Sequence, residues 1–237
     1  MDYLFGTPYR IEQGREMYHF NSDSELLGRF LRLKENDRVL DVGTNNGVLL
    51  CYAALQKPER LTGIDLFPEV LDLCARNLAY NGIAAELYAT PLQQFEHAPF
   101  TALICNPPFF TTANASLKSQ NRYLRAARHT DFLALSDLFF HGSRLLEPGG
   151  TLTLIIPHAV MDEAFAEAAE QDFHLRRIAA VYDHPSSESK PAGIKRCLLE
   201  FVLYSKTTIE VEPMRYLDRL HAEEEHPKKR CNPSVSD

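Results

Sequence analysis

Arg38-Val39-Leu40-Asp41-Val42-Gly43-Thr44-Asn45-Asn46-Gly47 decides the fold. The apolar run is short and β-branched, which reads as a strand buried on both faces rather than a helix. It breaks at Gly43, and a helix is expected over about 47–56. Leu61-Thr62-Gly63-Ile64-Asp65 is a second strand, followed by a helix from Pro68 to Tyr80 that stops at Asn81-Gly82. The spacing from Asp41 to Asp65 fits one strand–helix–strand unit.

Outward from that unit the alternation continues. Ala85–Ala89 and Phe100–Cys105 read as strands, and 107–130 as a long polar loop. A helix is expected from Phe132 to Leu146, ending at Pro148-Gly149-Gly150, then a strand from Thr151 to Ile156 and a helix over 159–171. His174–Tyr182 and Arg196–Tyr204 read as two last strands with no helix between them. Upstream, residues 1–20 form a polar, aromatic-rich arm. Asn21, Ser22 or Asp23 caps a helix to about Leu33, with Leu26, Leu27, Phe30 and Leu31 on one face.

The expectation is therefore an α/β domain over 21–205 with a Rossmann-like, mostly parallel, seven-stranded sheet and an antiparallel hairpin at one edge. Residues 206–237 are charged and proline-punctuated, an extension whose end, Pro227–Asp237, is expected to be disordered. The length of 237 residues suits one such domain. No apolar run approaches the roughly 20 residues that span a bilayer, and the N-terminal residues lack a basic and apolar leader pattern, so secretion and membrane insertion are not expected. Cys51, Cys74, Cys105, Cys197 and Cys231 form no CxxC pair, which reads as reduced thiols in a cytoplasm rather than a disulfide frame or a metal site. The net charge of −7 argues mildly against nucleic acid as a partner unless basic residues cluster locally.

In open sheets of this kind the ligand sits beyond the carboxyl ends of the strands, where strand order reverses. Gly43 permits a tight turn there and Gly47 a close approach to the following helix. A dinucleotide site would carry a second glycine where Asn45 stands, and no carboxylate just before the turn. Asp41 disfavours a pyrophosphate and suits a cationic amino-acid group, directly or through a water. Asp65 suits ribose hydroxyls. Ordinary turn glycines with a capping aspartate are the plainer alternative.

Asn106-Pro107-Pro108-Phe109 follows the fourth strand. Prolines fix the backbone, remove donors and leave carbonyls free. A planar nitrogen has its lone pair delocalised. Two acceptors aimed at its hydrogens, the Asn106 side-chain oxygen and the Pro107 carbonyl, favour a pyramidal nitrogen whose lone pair faces an incoming methyl. Phe109 offers a face on which a flat group stacks. A simple proline-rich loop is the alternative.

These residues resemble the amino-methyltransferases with an Asn-Pro-Pro-aromatic motif, and more closely the bacterial tRNA1(Val) (adenine(37)-N6)-methyltransferases. The resemblance runs over about 18–204. It is carried by Phe20 through Leu27, Asp41 through Val48, Asn77-Leu78-Ala79-Tyr80-Asn81, Cys105 through Phe110, Ser116-Leu117-Lys118 and Ala127-Arg128-His129. It implies a class I methyltransferase fold, S-adenosylmethionine as cofactor, the anticodon arm of tRNA as partner, and no metal. By resemblance, Asn21, Ser22 and Asp23 contact the methionine end of the cofactor, and Asn106 binds the target amine. Leu66 follows Asp65 in the cofactor site. The family usually has an acidic residue after the third strand; here Thr90-Pro91-Leu92 stands there, so Thr90 or backbone takes its place. Phe109 replaces a more usual tyrosine, and Thr130 a glutamate.

Lys118, Arg122, Arg125 and Arg128 fall in 115–130 without an acidic residue, with Tyr123 and His129 interleaved. Beside the motif they fit phosphate contacts around an extruded base; a solvated helix face is the alternative. His129 reads equally as a structural or a catalytic group. Arg176, Arg177, Lys190, Lys195 and Arg196 form a second basic group. The expected activity is N6-methylation of an RNA adenine. The alternatives are a glutamine N5-methyltransferase acting on a release factor, which usually carries a helical domain before the cofactor strand, and a methyltransferase-fold binding protein without activity.

Overall fold

The computed structural model describes residues 1–14, 19–107, 133–182 and 193–216. Its centre is the strand–turn–helix unit: β3 (Arg38–Val42), α2 (Val48–Ala54), β4 (Arg60–Asp65), α3 (Pro68–Tyr80) and β5 (Glu86–Ala89). After β6 (Phe100–Cys105) come α4 (Leu135–Leu145), β7 (Leu146–Pro157), α5 (Met161–Glu170), β8 (Phe173–Tyr182) and β9 (Ile194–Leu203). Before the unit lie a two-stranded hairpin, β1 (Asp2–Tyr3) with β2 (Arg10–Ile11), and α1 (Ser22–Phe30).

The sheet runs β5-β4-β3-β6-β7-β9-β8. Pairings from β5 through β7 are parallel, and β9 is antiparallel to both β7 and β8. The expected mixed sheet with its hairpin is therefore present. Order reverses between β3 and β6, where Val42 pairs with Cys105. Alternation along the strands feeds two cores. Val39 and Ile104 face one with Leu27, Phe30 and Leu50 of α1 and α2, while Leu40 and Leu103 face the other with Leu138 and Phe139 of α4. Both faces are covered, as a parallel sheet requires.

Three segments depart from their expected form. β7 begins at Leu146 and includes Pro148-Gly149-Gly150, expected only as a helix stop. The register with β6 jumps there, from Phe100↔Leu146 to Ala102↔Thr151. Gly149 has φ 83°, and a Cβ on Gly150 would stand 2.9 Å from the Glu147 carbonyl oxygen, so this bulge needs glycine. The N-terminal arm is no loose appendage: Leu4 and Ile11 are fully buried in the first core.

Beyond Lys206, β10 (Glu210–Val211) and β11 (Arg215–Tyr216) pair in parallel with β8. They extend the sheet at the edge where the sequence suggests only a charged extension. The expected disorder of 227–237 lies outside the described residues. No helix of the described residues is long and apolar enough to cross a membrane.

The edge is held by charge. Arg177 is 2% exposed and bonds Glu200 through Nε at 3.0 Å, Glu212 through Nη1 at 2.6 Å and the Phe30 carbonyl through Nη2 at 2.9 Å. Its guanidinium lies 4.2 Å from the Phe30 ring centroid. Arg32 at the far side bonds Glu210 at 2.7 Å and Glu212 at 2.9 Å. Burial alone would raise the Glu200 carboxyl, but hydrogen bonds and charge from Arg177 and Arg176 together hold it below its ordinary value. Arg177 is thus an internal residue and does not contribute to a second basic surface.

Candidate active site

The turn after β3 is built by backbone bonds. Gly43 and Thr44 donate their N–H groups to the Ile64 carbonyl, each at 2.9 Å, which draws the turn toward the end of β4. Asn45 then takes φ 50°, a left-handed conformation that asparagine tolerates better than most side chains. Gly47 caps α2 at φ 88°, and a Cβ on it would stand 2.9 Å from the Cys74 sulfur.

Asn77 fastens this turn from α3. It is fully buried; its amide nitrogen donates to the Asn46 carbonyl at 2.9 Å and the Glu12 carbonyl at 3.0 Å. Its oxygen accepts from the Glu12 N–H at 2.8 Å. The arm and the turn are therefore tied through one side chain.

Asp41 lies beneath the turn with no exposure at all. Neither of its carboxylate oxygens, nor the Thr44 hydroxyl, has a hydrogen-bond partner among the described residues. Burial pushes the carboxyl up to about 7; Asp65 adds to this, while the nearby Thr44 hydroxyl opposes it without reaching full hydrogen-bonding geometry. A buried carboxylate without donors is costly, and such costs persist where a ligand supplies what is missing.

Asp65, at the end of β4, accepts the Asn45 N–H at 3.1 Å on one oxygen and the Phe67 N–H at 3.2 Å on the other. Burial raises its carboxyl, and the backbone N–H groups of Phe67, Asn45 and Leu66 offset part of that. Each oxygen keeps a further lone pair for a hydroxyl. Thr90 follows β5 and donates its N–H to the Asp65 carbonyl at 2.9 Å. Its hydroxyl donates to the Pro91 carbonyl at 3.3 Å. Leu92 is 4% exposed and packs in the second core, so its side chain serves the interior.

Across the reversal point, β6 ends at Cys105, and Asn106 comes next. The pairing of Cys105 with Val42 sets Asn106 at the height of Gly43, on the neighbouring strand end. Its amide nitrogen donates to the Ser24 hydroxyl at 3.2 Å. Pro107 is buried. Ser24 comes from α1, capped by Asn21, whose side-chain oxygen accepts the Asp23 N–H at 3.1 Å and the Ser24 N–H at 3.3 Å. Asp23 is tied to Arg196 of β9 at 3.0 Å. Ser22 opens the helix, half-buried.

The fold thus gathers Asp41, Gly43, Asn45, Gly47, Asp65, Leu66, Thr90, Asn106 and the Asn21–Asp23 cap at one end of the sheet. Pro108, Phe109, Lys118, Arg122, Arg125, Arg128 and His129 lie outside the described residues. Ser24 and Asn77 stand in stretches that carry the resemblance, but the sequence assigned neither a role. A signal existed for both: each is a polar residue on an apolar helical stripe, Ser24 with Leu27 and Leu31, Asn77 with Val70, Cys74 and Leu78. Among the described residues no group of His, Cys, Asp and Glu could hold a metal ion.

Comparison with known proteins bears on this arrangement. The family model "Methyltransferase small domain" matches residues 18–175. The chain is 30% identical over 203 residues to the tRNA1(Val) (adenine(37)-N6)-methyltransferase of Aeromonas salmonicida, covering 80% of this chain and 83% of that one. It is 29% identical to the protein of the same name from Parabacteroides distasonis, covering 85% and 86%. Among solved structures, a methyltransferase from Pyrococcus furiosus superposes with TM-score 0.59 at 15% identity, covering 84% of this chain and 90% of that one. The ribosomal protein L11 methylase of Lactobacillus delbrueckii superposes with TM-score 0.53 at 18% identity, covering 78% and 77%. At those identities the structures speak for the fold alone.

Proposed function

The chain belongs to the methyltransferase small-domain family, and we propose that it moves a methyl group from S-adenosylmethionine to the N6 amine of an adenine in RNA, with adenine-37 of tRNA1(Val) as target. The observation that carries this reading is the junction of β3 and β6, where a buried carboxylate with no hydrogen-bond partner among the described residues and an asparagine amide stand on adjacent strand ends.

The residues fit the cofactor. Among the described residues the Asp41 oxygens and the Thr44 hydroxyl have no donors, which an ammonium supplies directly or through a water. Asp65 keeps acceptor capacity for the two ribose hydroxyls. The amide-rich turn from Gly43 to Gly47 allows close backbone approach, and Thr90 with Pro91 borders the adenine side. When bound, the cofactor supplies an electrophilic methyl on a sulfonium.

The chain's own residues then orient the acceptor. Asn106 Oδ1 and the Pro107 carbonyl accept hydrogens from the target amine and turn its lone pair out of the ring plane. Pro108 holds that backbone, and Phe109 stacks on the base. Lys118, Arg122, Arg125 and Arg128 contact phosphates around the extruded nucleotide, with His129 beside them. The anticodon arm is the proposed partner because a base there must leave its stack to be reached.

The test is transfer of labelled methyl groups to bulk tRNA lacking the modification, with a purified peptide release factor in parallel. Label in the tRNA, mapped to one adenine by nuclease digestion and mass spectrometry, is the expected result. Label in the release factor alone would assign a glutamine substrate instead. Label in neither, with cofactor still bound, would mean a binding protein.

A further inference from the structure

Ser24 is 7% exposed and stands in the first turn of α1. Its backbone N–H is held twice, by the Asn21 carbonyl at 3.1 Å and the Asn21 side chain at 3.3 Å. The residue before it, Asp23, is pinned by Arg196 at 3.0 Å. The hydroxyl of Ser24 is therefore carried by a fixed backbone. It is directed at one atom of the site, the amide nitrogen of Asn106, at 3.2 Å.

We propose that Ser24 is a positioning residue for methyl transfer: it anchors the Asn106 amide so that Oδ1 is the atom presented to the target amine. The inference rests on the reading of Asn106 as the group that receives that amine. The physical need is plain. The outer torsion of an asparagine side chain has broad, roughly two-fold preferences. An unanchored Asn106 amide would sample orientations that point N–H donors at an amine that must itself donate. Donor would then oppose donor at the reacting nitrogen. With Nδ2 engaged by Ser24, the oxygen is left facing outward. A hydroxyl both accepts and donates, so what Ser24 fixes is the position and plane of the amide; the hydrogen bond seen here commits the nitrogen to it. Ser24 lies 82 residues from Asn106 in sequence, on a helix whose apolar side packs in the first core.

The experiment compares Ser24→Ala and Ser24→Thr with the unaltered protein, each also in an Asn106→Ala background. Ser24→Ala should lower kcat about tenfold, the effect of one such hydrogen bond on the barrier, while calorimetry shows unchanged S-adenosylmethionine affinity. Ser24→Thr, which keeps the hydroxyl, should restore most of the rate. In the Asn106→Ala background, Ser24→Ala should cost nothing further, because the group it anchors is gone. A merely structural serine would lower the melting temperature and cost the same rate in both backgrounds, and that result would overturn the proposal.

Direct observation is available without turnover. In protein labelled with 15N at asparagine, the Asn106 side-chain NH2 pair, assigned by its loss in Asn106→Ala, should shift and rotate faster in Ser24→Ala and recover in Ser24→Thr. An unmoved pair in Ser24→Ala would also overturn the proposal. If Asn106→Ala itself turns over normally, the reading of Asn106 fails and the proposal falls with it. If Asn106→Ala is inactive and Ser24→Ala fully active, only the role of Ser24 is refuted.

Discussion

Lowering the pH from about 7 to about 6 should weaken S-adenosylmethionine binding about fivefold, because Asp41 must be ionised to receive an ammonium. The carboxyl has no exposure and no hydrogen-bond donor among the described residues, and burial pushes it up to about 7. Near that value half of the free protein carries the carboxylate; one unit lower, roughly one molecule in eleven does. The neighbouring thiols do not titrate across this window. Burial pushes the Cys51 thiol to about 12 and raises Cys74 and Cys105 well above the ordinary thiol value, so all three stay protonated. The cofactor's α-ammonium, of a kind that titrates at about 7.7–8.0, stays charged. Asp65 is also raised, but three backbone N–H groups stabilise its charged form.

Calorimetry in two buffers of different ionisation enthalpy measures both affinity and proton release. Binding at about pH 6 should release close to one proton, and Asp41→Asn should abolish the release and flatten the pH dependence. Equal affinity at both pH values, or proton uptake, would refute the assignment of Asp41 to the ammonium. Stability gives an independent check. An acid whose folded value lies above its ordinary 3.8 destabilises the fold when ionised. The cofactor-free protein should therefore lose stability as pH rises from about 4 toward about 7, and Asp41→Asn should lose less.

Three further outcomes are expected. Asp65→Ala should weaken cofactor binding by about 1–3 kcal/mol, as expected for losing hydrogen bonds to a charged group, and isothermal titration with unchanged affinity would remove Asp65 from the site. Arg177→Ala should destabilise the fold by about 3 kcal/mol in urea unfolding, the low end for breaking a buried pair, since it leaves the buried Glu200 carboxylate with the partly exposed Arg176 alone. Because Glu200 is held below its ordinary value, that stability is present above about pH 4.5 and lost on acidification, so the variant and parent should converge at low pH. Binding to tRNA should weaken with added salt at a slope set by a few phosphates, and Arg122→Ala or Arg125→Ala should each flatten it without changing cofactor affinity.

The alternation of strands and helices was legible because apolar periodicity is local. The Asp41–Gly47 turn and the Asn106-Pro107 step were legible because polar residues and glycines interrupt that periodicity at strand ends. The roles of Asn77 and Ser24 were hidden because their partners are remote: Asn77 reaches Asn46 and Glu12, and Ser24 reaches Asn106. A polar residue on an apolar stripe announces that a partner exists without naming it. Arg177 misled for a related reason. Counted along the chain it joins Arg176, Lys195 and Arg196 as a basic group, yet its strand neighbour Glu200 and the distant Glu212 neutralise it inside the fold. The β10 and β11 pairings escaped because two-residue strands carry no period.

These remote contacts converge on one short helix. At its N-terminus α1 is set by the Asn21 cap, the Asp23–Arg196 pair and the Ser24–Asn106 bond. At its C-terminus Arg177 binds the Phe30 carbonyl and stacks on its ring, while the Gln56 side chain bonds the Leu31 carbonyl at 3.0 Å and the Leu33 N–H at 2.7 Å. A helix of nine residues spans about 13 Å and moves as a unit. The Arg177 contact and the Ser24 contact thus sit at opposite ends of one helix. That gives the charged residues beyond Lys206 a physical reason to extend the sheet: Glu210 and Glu212 complete the ion network that holds the far end of the helix whose first turn carries Ser24.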